Sequence, residues 1–156
     1  IEDLAETVSA MINQYDEPSK PEEVKEVKDS VKILLVEDYK HSQIIVTRLL
    51  KKNNFESIVV VENGLQAYEQ VQAQHYDLIL MDMQMPVMNG FEATQKIREL
   101  ENYKETPIIA LTAFAMKGDR EKCLEAGATD YIPKPIDSQE FLEKVKYYTE
   151  NKITKL

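Results

Sequence analysis

The stretch LILMDMQMPVMNG, residues 78–90, decides the fold class of this chain. It begins with four apolar residues, Leu78 to Met81, a run that is typical of a β-strand buried on both faces. Asp82 ends this run, and Asn89 is suited to cap a helix in which apolar residues recur at helical spacing. The stretch therefore predicts a buried strand, a polar loop and a helix in succession.

Four more pairs of an apolar run and a helical pattern occur between residue 31 and the end of the chain. The strands of these pairs are predicted at Val31–Val36, Ser57–Val61, Pro107–Leu111 and Ala128–Ile132. A helix over about 116–126 is predicted to end at Gly127, because glycine is favoured just past a helix C-terminus.

This alternation predicts the architecture of the domain. Strands that are apolar throughout and separated by helices imply a parallel sheet that is covered on both faces. Right-handed crossovers then favour a doubly wound (βα)5 sandwich of the flavodoxin-like type. The predicted fold is therefore α/β, with a parallel five-stranded sheet, preceded by a short N-terminal helix and a linker.

The first thirty residues differ in charge from the rest of the chain. The chain has 28 Asp plus Glu against 19 Lys plus Arg, and residues 1–30 hold 9 of these acids with 3 lysines. Apolar residues from Ile1 to Tyr15 recur at steps of three and four, which predicts a helix, and two prolines then lie in a charged run that is typical of a linker. We interpret residues 1–30 as the helix remnant of a preceding domain with an acidic linker, and residues 31–156 as a separate domain. A weak homodimer formed by the helical stripe is the alternative.

Composition excludes several classes of function. The formal charge of −9 argues against nucleic acid or an anionic membrane as a partner, because both require a basic face. The single cysteine, Cys123, excludes an internal disulfide and a cysteine-based zinc cluster, and we expect it to be buried. No apolar run approaches the roughly 18–20 residues of a membrane span, and no signal-peptide pattern begins the chain. We expect a cytoplasmic segment even if its parent chain is membrane-anchored, and the initial Ile suggests a piece of a longer chain or a processed product.

Polar residues follow four of the five predicted strands. Glu37 and Asp38 come after the first strand, Asp82 after the third, Thr112 after the fourth and Lys134 after the fifth. Each of them alone is ordinary, as a helix cap or a solvated surface charge. Because open α/β sheets bind ligands at the carboxyl ends of their strands, these residues together predict a site at one edge of the sheet.

The chemistry of these groups indicates a metal ion and a phosphoryl group. Three carboxylates at close range repel one another unless a cation joins them, and Mg²⁺ prefers oxygen ligands from carboxylates, waters and phosphoryl groups. Asp82 is the central candidate for a nucleophile that accepts a phosphoryl group. Lys134 would supply a fixed positive charge, and Thr112 a hydrogen-bond donor, for the charge that develops during transfer.

Four stretches of the sequence resemble the receiver domain of response regulators in two-component and phosphorelay signalling, the CheY-like family. They are residues 36–38 (VED), 80–90 (LMDMQMPVMNG), 110–113 (ALTA) and 131–135 (YIPKP). The separations of 44, 30 and 22 residues between Asp38, Asp82, Thr112 and Lys134 fall where the family places them. The resemblance covers about residues 31–150 and implies the strand order 2-1-3-4-5 for the flavodoxin-like sheet. The Met-rich loop after Asp82 resembles the C-terminal receivers of hybrid sensor histidine kinases.

The resemblance implies a phosphoacceptor module with a metal site. Asp82 would take a phosphoryl group from a phosphohistidine on a histidine kinase or a histidine phosphotransfer protein. Asp38, Asp82 and the backbone carbonyl of Gln84 would ligate Mg²⁺ or Mn²⁺, and Glu37 would act through water. Such a domain is not an enzyme by itself, although it assists its own phosphorylation and dephosphorylation, and its parent chain would be a hybrid sensor histidine kinase.

The resemblance also implies a conformational switch. Lys134 would pair with the phosphoryl group, and the Lys134–Pro135 bond would be cis, as X–Pro bonds allow. Thr112 would move toward a phosphoryl oxygen, and Tyr131 would turn inward behind it. The face formed by helix 4, strand 5 and helix 5 would then change shape.

Three rival functions stay open. A Mg-dependent aspartyl-phosphate phosphatase of the haloacid-dehalogenase type needs a second Asp two residues after its nucleophile, where this chain has Gln84. A flavodoxin-like flavin binder needs a first loop that cradles phosphate, which Glu37 and Asp38 would repel. A degenerate receiver used only for docking would not need the complete set of acids with Thr112 and Lys134.

Overall fold

A five-stranded sheet with helices on both faces forms the described part of the chain. The computed structural model describes residues 31–85, 87–113 and 117–154, so the helix and linker predicted for residues 1–30 lie outside these residues. Its strands are β1 (Lys32–Val36), β2 (Ser57–Val61), β3 (Leu78–Asp82), β4 (Ile108–Thr112) and β5 (Asp130–Pro133). Its helices are α1 (Lys40–Lys52), α2 (Gly64–Ala73), α3 (Gly90–Arg98), α4 (Lys117–Glu125) and α5 (Ser138–Thr154), with a 3₁₀ turn at Glu101–Tyr103. None of the described helices is both long and apolar enough to cross a membrane.

The strands are all parallel and lie in the order β2-β1-β3-β4-β5. This confirms the predicted α/β fold, its doubly wound flavodoxin-like architecture and its sheet order of 2-1-3-4-5. The last residue of each strand pairs with the last or next-to-last residue of the following strand in the sheet, and the pairs are Val36 with Met81, Asp82 with Leu111, and Thr112 with Pro133. The residues that follow these strands therefore share one edge of the sheet.

The core consists of two hydrophobic clusters, one on each face of the sheet. Leu34 and Val36 of β1 belong to the cluster that contains α2, α3 and α4, whereas Ile33 and Leu35 belong to the cluster that contains α1 and α5. Alternate residues of one strand thus pack on opposite faces, which is why the central strands are apolar throughout. The edge strand β2 is less deeply buried than the central strands, and its Val60 is 37% exposed.

Gly127 lies just past the C-terminus of helix α4, as predicted. Its φ is +115°, and its N–H donates to the carbonyl of Leu124 at 3.0 Å. The N–H of Ala128 donates to the carbonyl of Cys123 at 3.1 Å. Because the N–H of Ala128 is hydrogen-bonded to the last turn of the helix, β5 begins at Asp130 rather than at the predicted Ala128. The other four strands lie within one residue of their predicted bounds.

Val87 adopts a backbone conformation that suits another residue type. Val87 and Asn54 have φ values of 69° and 72°, in the left-handed region that disfavours a β-branched side chain by about 1–2 kcal/mol but that Asn tolerates. Val87 is also 77% exposed, so its side chain has little packing to lose.

We expect Val87→Asn to raise the free energy of unfolding in urea by about 1 kcal/mol. The reciprocal control, Asn54→Val, should lower it by a similar amount, and a Val87→Asn protein no more stable than the parent would contradict this account.

Candidate functional site

Three carboxylates at the ends of β1 and β3 form an acidic cluster. One oxygen of each of Glu37, Asp38 and Asp82 lies within 4.8 Å of the other two. Glu37 and Asp82 are buried, whereas Asp38 is exposed. The structure thus brings together the acids that follow strands one and three in the sequence. Negative charge held at this depth is unfavourable unless cations lie against it.

Lys134 joins two of these carboxylates. Its Nζ lies 3.0 Å from Glu37 Oε1 and 3.3 Å from Asp82 Oδ2. The lysine comes from the turn after β5, and its backbone N–H donates to the carbonyl of Thr112 at 2.8 Å, which fixes that turn to the end of β4. The Lys134–Pro135 bond is cis, as the resemblance implies.

One ammonium does not neutralise three carboxylates. Burial raises the pKa of Glu37, the hydrogen bond from Lys134 opposes this, and the charge of Asp82 adds to it. Burial alone would lower the pKa of Lys134, but the hydrogen bond to Glu37 and the charge of Asp82 outweigh it, so that pKa is raised. The excess negative charge is carried by carboxylate oxygens, the ligands that Mg²⁺ prefers, and Asp38 leaves the cluster open to solvent. The donor set therefore fits a hard divalent cation.

Gln84 connects the two loops that border the cluster. Its backbone N–H donates to Asp82 Oδ1 at 3.0 Å, so the loop after β3 lies against the central carboxylate. Its side-chain Oε1 accepts a hydrogen bond from the N–H of Ala113, the residue after β4, at 3.4 Å. The resemblance implies a role for the carbonyl of Gln84, but the bond from Ala113 to its side chain is not predicted by the sequence.

Thr112 and Tyr131 lie on the neighbouring strands β4 and β5. Thr112 is the last residue of β4 and is buried, one strand away from Asp82. Tyr131 is partly buried at the margin of the core cluster that contains Cys123. Its ring lies near Arg120 of α4, whose Cζ is 5.5 Å from the ring centroid, and near Lys144 of α5, whose Nζ is 5.0 Å from it.

Two residues that position the cluster are missed by sequence reasoning. Gln43 of α1 donates from Nε2 to the carbonyl of Glu37 at 2.6 Å and so anchors the loop after β1. Gly90 starts α3 so close to β3 that a Cβ there would lie 2.3 Å from the carbonyl oxygen of Asp82. The side chain of the cap residue Asn89 accepts from the N–H of Glu92 at 3.0 Å, and a glycine directly after such a cap is a sequence signal for a close approach of the backbone. A glutamine on a helix, such as Gln43, gives no signal of this kind.

The other reactive side chains lie elsewhere. Cys123 is buried with a free thiol, as predicted, and burial raises the pKa of that thiol. Within residues 31–85, 87–113 and 117–154, the acidic cluster is the one group of three or more side chains that could hold a metal ion. The candidate site is therefore confined to the carboxyl ends of the strands.

Comparison with known protein families identifies a match over most of the chain. The family model described as the response regulator receiver domain matches residues 33–146. Among curated proteins, the chain is similar to hybrid signal transduction histidine kinase I of Dictyostelium discoideum, with 43% identity over 133 residues. This match takes in 78% of the present chain but only 8% of that relative, so the chain spans a small part of the relative's length.

Solved structures with the same fold include two receiver domains. One is the receiver domain of sensor histidine kinase PA1611 from Pseudomonas aeruginosa, with a magnesium ion coordinated in its active site cleft; its TM-score is 0.72 at 41% identity, covering 77% of this chain and 98% of that one. The other is the receiver domain of Ssk1 from Saccharomyces cerevisiae, crystallised with the histidine phosphotransfer protein Ypd1; its TM-score is 0.71 at 30% identity, covering 76% of this chain and 88% of that one.

The close approach at Gly90 can be tested with alanine. We expect Gly90→Ala to lower the free energy of unfolding by about 1–3 kcal/mol, because its Cβ would displace the backbone of Asp82 and Met83. It should also weaken Mg²⁺ binding measured by calorimetry, since the displaced backbone carries a carboxylate of the cluster. Gly118→Ala is the matched control, because a Cβ at Gly118 has open space around it. Equal stability of the two variants would contradict the argument.

The charge imbalance can be tested through pH. Because the folded-state pKa of Glu37 is raised, the stability linked to this group is present below the ordinary glutamate pKa of 4.5 and is lost as the pH rises through the folded-state pKa. Glu37→Gln lacks this loss. Without divalent cations, the free energy of unfolding of Glu37→Gln minus that of the parent should therefore increase between about pH 4 and pH 8. Glu56→Gln, which changes an exposed acid just before β2, is the control variant. A Glu37→Gln difference that falls with pH would refute the argument.

Proposed function

This chain belongs to the response regulator receiver domain family, a module of two-component and phosphorelay signalling, and we propose that its Asp82 accepts a phosphoryl group from a phosphohistidine. The observation that carries the proposal is the placement of the Asp82 carboxylate in the acidic cluster, with Lys134 Nζ 3.3 Å away. A carboxylate in this setting combines a nucleophilic oxygen with a fixed cation that takes up charge during transfer.

In the proposed reaction, an oxygen of Asp82 attacks phosphorus and the bond from phosphorus to the histidine nitrogen breaks. The chain gains an acyl phosphate, and the imidazole leaves with the electron pair of the broken bond. The N–H of Gln84, which donates to Asp82 Oδ1 at 3.0 Å, orients the carboxylate. Lys134 turns from Glu37 and Asp82 toward the phosphoryl oxygens, and its short distances to both acids keep the ammonium within reach.

A divalent cation completes the proposed site. Asp38, Asp82 and the backbone carbonyl of Gln84 would hold Mg²⁺, or Mn²⁺ in its place. Both oxygens of Glu37 already have protein partners, Lys134 at 3.0 Å and the N–H of Tyr39 at 3.2 Å, which supports a role for Glu37 through water. When bound, the cation supplies charge neutralisation for the carboxylates and the incoming phosphoryl oxygens. The cluster of carboxylate oxygens and the magnesium ion in the Pseudomonas receiver support this assignment.

Phosphorylation is proposed to switch the domain through Thr112 and Tyr131. Moving a two-state population from 1:99 to 99:1 takes about 5.5 kcal/mol, whereas one hydrogen bond to a charged group contributes roughly 1.5–3 kcal/mol. Thr112 alone falls short of this, so Thr112, Lys134 and backbone donors act together on the added charge. Tyr131 then turns inward, and the surface formed by α4, β5 and α5 changes shape.

The phosphodonor is proposed to be a histidine kinase or a histidine phosphotransfer protein. The Ssk1 receiver, 30% identical to this chain, was crystallised with the phosphotransfer protein Ypd1, and the Dictyostelium relative is a hybrid histidine kinase. We infer that the parent of this segment is a hybrid sensor histidine kinase and that the segment works in the cytoplasm. A receiver domain is not a catalytic enzyme by itself, so the signal passes to another domain or protein.

The rival functions are not favoured. The phosphatase alternative requires an acid two residues after the nucleophile, and this position is occupied by Gln84, which contacts Asp82 through its backbone N–H. The family match also argues against the phosphatase and the flavin binder. A docking-only receiver would not need Lys134 to be held beside two buried acids.

The decisive experiment is labelling with a small phosphodonor. Incubation with acetyl phosphate and Mg²⁺ should give a phosphoprotein that is cleaved by hydroxylamine, and EDTA should abolish the labelling. Asp82→Asn should reduce labelling at least a hundredfold, because Asn lacks the nucleophilic oxygen. Asp77→Asn is the matched control, since Asp77 precedes the same strand at the opposite edge of the sheet. Equal labelling of Asp82→Asn and the parent would overturn the proposal.

A further inference from the structure

The ring of Tyr131 lies close to cations from two different helices. Arg120 of α4 places Cζ 5.5 Å from the ring centroid, and Lys144 of α5 places Nζ 5.0 Å from it. Both distances are within the range of about 6 Å over which a cation is attracted to an aromatic face. The other such contact among the described residues, Lys96 with Tyr68 at 5.8 Å, has a single cation.

Lys144 is held in place independently of the ring. Its Nζ donates to the carbonyl of Tyr131 at 2.6 Å and to Asp130 Oδ1 at 3.2 Å, and it lies 3.5 Å from Glu140 Oε2. The other oxygen of Asp130 accepts a hydrogen bond from the hydroxyl of Tyr148 at 2.9 Å. The ammonium is therefore fixed by strand β5 and by helix α5, and it is not a freely rotating surface lysine.

The bond from Lys144 to the Tyr131 carbonyl holds the backbone of Tyr131 and does not involve its ring. Because that carbonyl belongs to the edge strand β5, the lysine satisfies an outward-facing acceptor and keeps the strand backbone in place. The ring can leave only by rotating about its own side-chain torsions, and in doing so it gives up both cations. Rotation of the ring would therefore break both cation contacts while leaving the bond from Lys144 to the strand backbone in place.

We propose that Arg120 and Lys144 form a two-cation clamp that holds the Tyr131 ring in its observed position and sets how readily the ring is displaced. The proposal rests on the proposed function only in taking Tyr131 as the switch residue. Arg120 and Lys144 are positioning residues: they touch neither Asp82 nor the acidic cluster in the hydrogen bonds and ion pairs of the described residues. Removing one cation should raise the population of the displaced ring about two- to fivefold.

The clamp can be tested in the unphosphorylated protein by fluorine NMR. The protein is labelled with 3-fluorotyrosine, and the Tyr131 resonance is identified by its loss in Tyr131→Phe. Lys144→Met and Arg120→Met should each shift that resonance toward the displaced position. Lys144→Arg, which keeps the charge, should restore the parent spectrum. Lys146→Met is the matched control, since it removes a half-buried lysine from the same helix and should leave the Tyr131 resonance unchanged.

The outcomes separate the clamp from simpler explanations. An unchanged Tyr131 resonance in both Lys144→Met and Arg120→Met overturns the proposal. A shift in Lys144→Met alone also overturns it, because it would assign the effect to the backbone bond rather than to two cations on the ring. Arg120→Met has no such backbone bond, so its shift supports the ring contact directly.

Labelling by acetyl phosphate distinguishes failure of the clamp from failure of the proposed switch. If Tyr131 displacement favours the phosphorylated form, Lys144→Met should be labelled about two- to fivefold faster than Lys146→Met, in proportion to the population shift. A shifted fluorine resonance with unchanged labelling would support the clamp and refute Tyr131 as the switch. A protein that is not labelled at all would refute the proposed function while the fluorine spectra still decide the clamp.

Discussion

The register of the parallel strands determines where the candidate functional side chains of this domain lie. Val36 pairs with Met81, and Asp82 pairs with Leu111, so β1, β3 and β4 each end within one residue of the neighbouring strand. The chain therefore assembles its acidic cluster from segments that are far apart in sequence without any segment reaching across the domain. A shift of one residue in any of these strands would exchange its two packing faces and move its end residue out of the cluster.

The cluster places charge where a stable core would have apolar side chains. Glu37 and Asp82 are buried, and a single ammonium, that of Lys134, lies against both. Buried ion pairs are weak sources of stability, because desolvation opposes the attraction between the partners. The two apolar clusters on the faces of the sheet supply the stability that this arrangement lacks, which leaves the charges available for binding a cation and a phosphoryl group.

Much of this structure can be predicted from the sequence, and the limits have physical causes. The apolar runs predict the strands, because burial on both faces requires a continuous run such as Leu78 to Met81. The meeting of Glu37, Asp38 and Asp82 follows from the same reasoning. The contacts of Gln43 and Gln84 do not, since a glutamine can bond to many partners and only the folded geometry selects one. The strand β5 starts two residues later than predicted, because the N–H of Ala128 bonds to the last turn of α4.

The bond between Gln84 and Ala113 links two loops of the candidate site through one side chain and one backbone group. The acceptor lies in the loop after β3 and its donor in the loop after β4, 29 residues further along the chain. Because the donor is a backbone N–H, which every residue except proline supplies, the bond depends on the side chain at position 84 but only on the backbone at position 113. Grafting this site onto another scaffold therefore requires the glutamine and the backbone conformation of both loops, whereas the side chain at position 113 can vary.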